Sequence, residues 1–236
     1  MDPDRARVTE LSGHLARLRS RVAVACEAAG RDPAEVTVIA VTKNFPAADV
    51  VRLARLGLGD IGENRDQEAR PKFDEVARHG VAVRRHFVGR LQRNKARSVA
   101  GYADMVHSVD SVRLATALGS AASDQDRRLE VLVQVSIDGD PTRGGAVTDQ
   151  VPAVAEAIDG QPALRLRGVM AVAPQTWLPL TAYQQLAEVA RTLRREHPEA
   201  SVISAGMSND LEAALACGAT HLRIGSALLG NRPPLR

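Results

Sequence analysis

The sequence predicts an α/β protein that folds as a single (β/α)8 barrel of the TIM type, preceded by an extra N-terminal helix. Three observations predict it: about eight short apolar segments recur along the 236 residues, each is followed by a segment with helical spacing, and no linker interrupts the series. Strands that alternate with helices form βαβ units and a parallel sheet. An open, doubly wound sheet is the alternative, but eight strands in a chain of this length fit the closed barrel better.

The first 30 residues predict the extra helix. Leu11, Leu15 and Leu18 recur at intervals of three and four residues, which places them on one face of a helix. Gly30 then ends the helical pattern. We therefore expect residues 1–30 to form an N-terminal helix that belongs to one domain over residues 1–236.

The remaining elements follow from the apolar segments and the helical patterns between them. Strands are predicted at residues 36–42, 58–61, 84–88, 104–107, 129–136, 166–172, 201–204 and 221–224. Helices are predicted at residues 47–56, 66–78, 92–100, 111–120, 149–158, 180–197 and 211–217. In such a barrel the reactive groups lie at the carboxyl ends of the strands, so polar residues at those ends are the candidates for function.

The composition excludes several classes of protein. The formal charge is only +3 and aromatic residues are 3%, so we expect no nucleic-acid partner, and we interpret the basic stretch 84–97 as a solvated helix face or an anion-attracting rim. The chain starts with charged residues and has no apolar run near the roughly 20 residues of a membrane span, so we expect a cytoplasmic protein without a membrane anchor. Cys26 and Cys217 have no metal-ligand spacing, and no metal site is expected.

Lysine is rare in this chain. Of 31 basic residues other than histidine, only Lys43, Lys72 and Lys95 are lysines. Arginine does not lose its proton in proteins and does not form an imine, whereas lysine does both when its surroundings lower its pKa. A retained lysine is therefore a candidate for amine chemistry.

Lys43 is the strongest of these candidates. It follows the first predicted strand, and the two-residue period of a strand places it on the same face as Ile39 and Val41. An amine at the mouth of a barrel beside apolar side chains is partly desolvated, which favours the neutral, nucleophilic form needed for a Schiff base. A lysine that extends into water, or that pairs with a carboxylate, is the alternative.

The ends of the last two strands predict a phosphate site. The segment 204–212 reads as a strand, a glycine turn and a helix start with Ser208 or Asn209 as N-cap, and Gly225 and Ser226 repeat this pattern after the eighth strand. Barrels often bind phosphate after strands seven and eight. Two ordinary capped helices are the alternative interpretation.

Barrel closure predicts which residues share the site. Strand eight pairs with strand one, so Lys43 and Arg223 become neighbours. An amine, a phosphate site and a guanidinium that faces a ring nitrogen together fit pyridoxal phosphate (PLP). PLP is therefore the predicted cofactor.

The ordered motifs of the chain also resemble a known family. The segments that carry the resemblance are Ala40-Val41-Thr42-Lys43, Gly62-Glu63-Asn64, the stretch 86–95, Gly168-Val169-Met170, the stretch 206–214 and Arg223-Ile224-Gly225-Ser226. They resemble the YggS/PLPBP family of pyridoxal phosphate homeostasis proteins. The resemblance implies a fold type III, PLP-binding barrel similar to the N-terminal domain of alanine racemase, with PLP as a Schiff base on Lys43. It also implies that Arg223 faces the pyridine nitrogen and that Ser208, Gly225 and Ser226 hold the phosphate.

Further residues are lesser candidates for the cofactor site. Asn64 and His86 end the second and third strands and either line the cleft or are core polar groups. Met170 is expected to pack beneath the ring, and Met207 belongs to the phosphate motif. The remaining predictions concern residues outside these motifs: His107 and His221 are expected to be structural, Lys72 solvent-exposed, and Lys95 either a surface residue or a secondary phosphate contact. Arg143 stands where many relatives carry a second lysine, which puts a second cofactor-accepting amine in doubt.

The predicted function is intracellular PLP homeostasis as a carrier or reservoir. An arginine at the ring nitrogen only donates and leaves that nitrogen unprotonated, which makes the ring a poor electron sink. Only 11 residues follow Gly225, so we expect an open cleft and assign no catalytic residue. PLP-dependent apoenzymes are expected acceptors, and the chain is expected to be a monomer or weak dimer. The alternative is a small racemase whose partner chain lends a base from Tyr102, Tyr183, His86 or His107.

Overall fold

The predicted strands pair in chain order and close on themselves in the computed structural model, which describes residues 2–140 and 143–230. The strands are β1 (Thr37–Val41), β2 (Asp60–Glu63), β3 (Arg84–Phe87), β4 (Met105–Val109), β5 (Leu129–Gln134), β6 (Leu164–Met170), β7 (Val202–Ser204) and β8 (His221–Ile224). All neighbours are parallel, and β8 pairs back with β1. The fold is therefore the predicted (β/α)8 barrel, and the open sheet is excluded.

Helices surround the barrel at the predicted places. In the described ranges they are α1 (Pro3–Ala28), α2 (Ala47–Arg55), α3 (Asp66–Arg78), α4 (Ala96–Ala100), α5 (Val112–Ser123), α6 (Val151–Asp159), α7 (Pro179–Glu196), α8 (Leu211–Ala216) and α9 (Ser226–Leu229). Short 3-10 turns precede α4 and α6, where the sequence predicted continuous helix. The short helix α9 was not predicted as an element, although Ser226 was predicted to open a helix there.

The extra helix α1 covers one side of the barrel. Its leucine face is buried, with Leu11, Leu15 and Leu18 at most 3% exposed. Burial of a leucine contributes about 1.5–3 kcal/mol, so this face fixes α1 against α8 and α9. The helix begins where Asp2 accepts a hydrogen bond from the Asp4 N–H, and it stops before Gly30, whose φ is +65°.

One strand boundary differs in an informative way. The second strand was predicted at 58–61 and lies at Asp60–Glu63. The apolar pattern does not extend to the end of this strand, because Gly62 has no side chain and Glu63 is charged. A Cβ on Gly62 would lie 2.9 Å from Ile39, and Glu63 is fully buried because it has partners inside the fold.

The barrel has two apolar regions. The main core lies between the strands and the helices, whereas four consecutive strands contribute a separate small cluster of Met105, Leu132, Met170 and Val202. Polar side chains are buried as well, among them Arg223 on β8. The barrel interior beneath its mouth therefore contains both apolar and polar side chains.

Candidate functional site

A cavity of about 390 Å³ lies at the carboxyl ends of β1, β2, β7 and β8. Its volume is in the range of small-molecule sites, roughly 300–1,000 Å³. The predicted site residues that line it are Lys43, Asn64, Met207, Ser208, Arg223, Gly225 and Ser226. Residues that are up to 183 positions apart in sequence therefore meet at one place, as barrel closure predicted.

Lys43 reaches the cavity as the strand period predicted. Val41 and Lys43 both line the cavity, whereas Thr42 between them is fully buried on the other side. β1 pairs with β8 so that Ile39 lies opposite Arg223. The lysine and the arginine are consequently on adjacent strands.

Three residues, Thr42, Glu63 and Lys72, form a buried group next to Lys43. We call this group the Glu63 cluster. Lys72 Nζ donates to the Thr42 carbonyl oxygen at 2.8 Å and to Glu63 Oε1 at 2.5 Å. Thr42 Oγ1 donates to the same carboxylate oxygen at 2.6 Å. Burial raises the pKa of Glu63, although the hydrogen bonds and the charge of Lys72 oppose that shift. The cluster thus fixes the main chain just before Lys43.

The prediction that Lys72 is solvent-exposed is wrong. Its side chain is 9% exposed and forms an ion pair with Glu63. The spacing contained the signal, because Lys72 lies three residues after Ala69 and four before Val76, which are both on the buried face of α3. An ammonium on that face requires a buried partner, and Glu63 provides it.

The predicted phosphate end of the cavity is built from two turns. The first carries Gly206, whose φ is +91° and whose added Cβ would lie 2.7 Å from Ala214. Asp210, and not Ser208 or Asn209, is the N-cap residue of α8. Asp210 Oδ1 accepts from the Met207 N–H at 2.5 Å, and its other oxygen accepts from the Tyr183 hydroxyl at 2.8 Å. The carboxylate therefore fixes the turn that presents Ser208.

The second turn starts α9. Ser208 Oγ accepts a hydrogen bond from the Ala227 N–H at 3.2 Å, which joins the two turns. Gly225 and Ser226 lie at the start of α9, where a helix has N–H groups without acceptors in the helix itself. Hydroxyl and N–H donors therefore converge at this side of the cavity.

Arg223 lines the cavity on the side that faces the barrel interior, and it is only 5% exposed. One terminal nitrogen, Nη1, donates to the Ser204 carbonyl oxygen and to Ser204 Oγ, each at 2.7 Å. The other, Nη2, donates to the Ala171 carbonyl oxygen at 2.8 Å. Burial lowers the pKa of Arg223 from its very high ordinary value, and a guanidinium remains a donor without acceptor capacity.

The residues fit PLP by chemistry as well as by place. Asn64 Oδ1 is buried on the cavity wall and has no hydrogen-bond partner among the described residues. Gly89 allows this arrangement, since a Cβ there would lie 2.0 Å from the Asn64 carbonyl oxygen. An unpaired buried acceptor is costly unless a ligand donates to it. PLP has a hydroxyl that donates, a ring nitrogen that accepts, an aldehyde and a phosphate, which complement Asn64, Arg223, Lys43 and Ser208.

Two predicted site residues lie elsewhere. His86 is fully buried and hydrogen-bonds to Asp60 and His107. Met170 belongs to the small cluster inside the barrel. Neither lines the cavity, so the structure does not bring these two together with the other seven.

The candidate bases of the racemase alternative are all buried. Tyr183 donates to Asp210, and burial raises its pKa. Burial also raises the pKa of Tyr102, which is 5% exposed and packs against Phe73. His86 and His107 are inside the barrel. None of these four side chains is exposed at the surface of the chain.

Arg143 and the basic stretch have structural partners. Arg143 pairs with Asp138 at 2.9 Å and donates to the carbonyl oxygens of Val172 and Ala173. In the basic stretch, Arg85 pairs with Asp104 and Arg97 with Asp124. Carboxylates thereby compensate the charge of these two arginines. Thr142, next to Arg143, lies outside the described residues.

Over residues 2–140 and 143–230, no group of three or more histidine, cysteine or acidic side chains is arranged to hold a metal ion. Among the helices of the same ranges, none combines the length and the apolarity that crossing a membrane requires.

Comparison with known sequences gives one family. Residues 13–233 match the model of the alanine racemase N-terminal domain. The pyridoxal phosphate homeostasis protein of Mycobacterium tuberculosis is 45% identical, over 98% of this chain and 95% of that protein. The protein of the same name from Escherichia coli K12 is 35% identical, over 95% of this chain and 98% of the relative.

Comparison with solved structures also finds similar proteins. PipY of Synechococcus elongatus with PLP bound is 32% identical and has a TM-score of 0.82, over 93% of this chain and all of that one. Alanine racemase from Corynebacterium glutamicum is 15% identical, with a TM-score of 0.70 over 97% of this chain and 63% of the racemase. The racemase shows a shared fold, and the closer relatives show shared sequence as well.

Proposed function

Because the chain belongs to the alanine racemase N-terminal domain family and, within it, to the pyridoxal phosphate homeostasis proteins, we propose that it binds PLP in the cavity at the carboxyl mouth of its barrel. We propose that Lys43 holds the cofactor as a Schiff base and that the chain acts in PLP homeostasis as a carrier or reservoir. The single observation that carries the proposal is the convergence of Lys43, Arg223 and Ser208 on one cavity.

Each cavity residue has a distinct role in this proposal. Lys43 supplies a primary amine, and Ser208, Gly225 and Ser226 supply hydrogen-bond donors to the phosphate. Asn64 Oδ1 accepts a hydrogen bond that no described residue donates. Arg223 donates to the ring nitrogen and does not give up a proton to it. Bound PLP supplies an aldehyde that reacts reversibly with primary amines.

We further propose that the chain carries PLP without turning over amino acids. Two features support this role. An arginine partner keeps the ring nitrogen unprotonated and so weakens the electron-withdrawing power of the ring. The four side chains considered as a second base are buried. We retain PLP-dependent apoenzymes as the proposed acceptors, with the chain a monomer or weak dimer.

The test of cofactor binding is a titration followed by absorption spectroscopy. Protein with added PLP is passed through a desalting column, and the visible spectrum of the retained cofactor is recorded for wild type, Lys43→Ala and Lys95→Ala. Lys95 lies outside the cavity and serves as the control. We expect wild type and Lys95→Ala to retain a coloured cofactor and Lys43→Ala to lose it. A colourless wild-type protein would refute the proposal.

The test of the carrier role is chiral analysis of amino acids. L-alanine and L-serine are incubated with the PLP-loaded protein, and the D-isomers are quantified over time. We expect no conversion above that given by free PLP and the Lys43→Ala protein. Sustained interconversion at enzyme-like rates would establish the racemase instead.

A further inference from the structure

Beneath the cavity a series of buried side chains runs through the barrel, away from the cofactor site. Arg223 Nη1 lies 2.7 Å from Ser204 Oγ, and Ser204 Oγ lies 2.9 Å from His107 Nδ1. His107 Nε2 is 3.0 Å from His86 Nδ1, and His86 Nε2 is 2.9 Å from Asp60 Oδ1. We call these five residues the interior network. It joins strands β8, β7, β4, β3 and β2, and its last member is the first residue of β2.

The two ends of the interior network differ in kind. Arg223 lines the cavity and is a donor, whereas the Asp60 side chain is 30% exposed at the amino-terminal side of the strands and is an acceptor. The three residues between them are at most 1% exposed. A buried series that starts at a cofactor contact and ends at a carboxylate is more than a packing arrangement, because every link needs a matched donor and acceptor.

The carboxylate fixes the direction of these bonds. Asp60 only accepts, so His86 donates from Nε2, and a neutral His86 then accepts at Nδ1. His107 must therefore donate from Nε2 and accept at Nδ1, which leaves the Ser204 hydroxyl to donate to His107. Ser204 Oγ in turn accepts from Arg223, which only donates. With these donors and acceptors, every hydrogen in the network points toward Asp60.

The electrostatics of the members agree with this assignment. Burial lowers the pKa of His107 well below its ordinary value, and the positive charge of Arg223 acts in the same direction. Burial alone would raise the pKa of Asp60, but the hydrogen bond from His86 and the nearby positive charge of Arg84 lower it. A neutral histidine and an ionised carboxylate are the forms that the directed network requires.

The guanidinium needs such support. The groups that hydrogen-bond to it are neutral oxygens of Ser204 and Ala171, and a buried cation without a directly bonded carboxylate is costly. A series of aligned bonds polarises each member toward the next, so that Asp60 acts on Arg223 through the intervening groups. Asp210 and Tyr183 also lie near enough to act on the charge of Arg223, but they bond to each other.

We propose that Ser204, His107, His86 and Asp60 are positioning residues, which orient Arg223 toward the ring nitrogen of the bound cofactor and so set the electronic state of the ring. The inference rests on the proposed PLP site. Of the five residues of the interior network, only Arg223 would contact the ring, and the other four act through Arg223. Asp60 thereby acts on the cofactor from the opposite end of the barrel.

The experiment measures the ring nitrogen directly. Wild type and variants are loaded with PLP labelled with ¹⁵N in the ring, and the ¹⁵N chemical shift and the PLP dissociation constant are measured. The variants are Ser204→Ala, Asp60→Ala, Asp60→Asn and the control His221→Gln. His221 is buried with its ring centroid 6.5 Å from His107, but it bonds to Thr220 and lies outside the interior network.

The expected results follow from the bonds removed. Ser204→Ala removes an acceptor of Arg223, so the ¹⁵N signal moves and the affinity for PLP falls about tenfold. Asp60→Ala moves the signal in the same direction and weakens binding about threefold. Asp60→Asn keeps an oxygen that accepts from His86 but loses the charge, so its signal lies between those of Asp60→Ala and wild type, and His221→Gln leaves the signal unchanged.

Several outcomes would overturn the inference. Ser204→Ala and Asp60→Ala proteins with the wild-type ¹⁵N signal would show that the interior network only fills space. An Asp60→Asn protein that matches Asp60→Ala, or a His221→Gln protein that matches Ser204→Ala, would contradict the directed bonds. If Ser204→Ala fails to fold, the Asp60 pair at the partly exposed end decides the question. Borohydride trapping on wild type separates this failure from failure of the PLP site itself, since the latter gives no trapped cofactor.

Discussion

The two sides of the cavity hold their key residues in opposite ways. On the β1 side, the Glu63 cluster is a buried ion pair, and it bonds to the main chain of Thr42, next to Lys43. On the β8 side, the interior network contains two histidines and a serine, and it bonds to the guanidinium of Arg223 itself. One side fixes a backbone, and the other fixes a charged group.

This difference matches what each residue must do. A reactive lysine has to change its protonation state and form a covalent bond, so support is best applied to the main chain that carries it. The chain after Lys43 is held similarly, because the Asn44 N–H donates to Glu68 and Asn44 has a φ of +65°. An arginine that recognises a ring nitrogen must keep its proton and its plane, so direct bonds to the guanidinium are the suitable support.

The largest effect is expected when the ion pair is broken. Lys72→Met leaves the carboxylate of Glu63 buried without its cation and is expected to destabilise the fold by about 3 kcal/mol. The free energy of unfolding in urea measures this cost. Lys72→Met combined with Glu63→Gln removes both charges and should recover a large part of the loss. A single variant within about 0.5 kcal/mol of wild type would contradict the description of the Glu63 cluster.

The phosphate side is expected to be sensitive to one glycine. Gly206→Ala places a Cβ 2.7 Å from Ala214 and 2.8 Å from Leu222 at a positive φ. We expect a loss of about 2 kcal/mol in stability, together with weaker PLP binding. Gly30→Ala is the matched control, because Gly30 also has a positive φ but no heavy atom within 4 Å of the added Cβ. Equal costs at the two glycines would show that φ alone, and not close packing, matters at Gly206.

The buried histidines give the β8 side a pH dependence that is opposite in sign to that of the β1 side. Burial lowers the pKa of His221 from 6.5 to about 4, so the unfolded chain binds a proton below pH 6.5 that the folded protein binds only near pH 4. Stability is therefore lost as the pH falls through this window, by about 1.4 kcal/mol per pH unit. His107 acts in the same direction.

Glu63 opposes this trend. Its raised pKa gives a contribution that is present below its ordinary pKa and is lost as the pH rises. Urea unfolding of wild type and His221→Gln between pH 4.5 and 7 isolates the histidine, because Glu63 is common to both. We expect a shallower loss of stability on acidification in His221→Gln. Parallel curves would contradict the assigned shift.

The smallest effect is expected at the surface. Arg97 and Asp124 form an exposed ion pair in the basic stretch, with side chains 72% and 59% exposed. Arg97→Ala is expected to change the free energy of unfolding by no more than about 0.5 kcal/mol. It should also leave any binding of duplex DNA or RNA at the level of a neutral control protein. A nucleic-acid affinity that Arg97→Ala weakens and that falls steeply with salt would reassign the stretch.

Much of the fold and part of the site follow from the sequence alone. The strand and helix periods predict the barrel, and the pairing of its first and last strands predicts that Lys43 and Arg223 meet. The Glu63 cluster was not predicted, because Lys72 belongs to no motif with a chemical role, although its spacing from Ala69 and Val76 places it on the buried face of α3.

The interior network could not have been predicted in this way. His86 and Ser204 are 118 positions apart in sequence, and only the closed barrel brings both within hydrogen-bonding distance of His107. The N-cap of α8 also escaped prediction, since Ser208, Asn209 and Asp210 are all favoured capping residues. A local bond from the Met207 N–H and a tertiary bond from Tyr183 select Asp210. Local patterns place the elements, whereas bonds between distant strands decide which polar groups are paired.

The covalent attachment of PLP to Lys43 is tested most directly by reduction and peptide mapping. The PLP-loaded protein is treated with borohydride and digested, and the pyridoxyl group is located by mass spectrometry. The chain has only three lysines, so the assignment is unambiguous. We predict the pyridoxyl group on Lys43 alone, and a label on Lys72, on Lys95 or on no lysine would contradict the account.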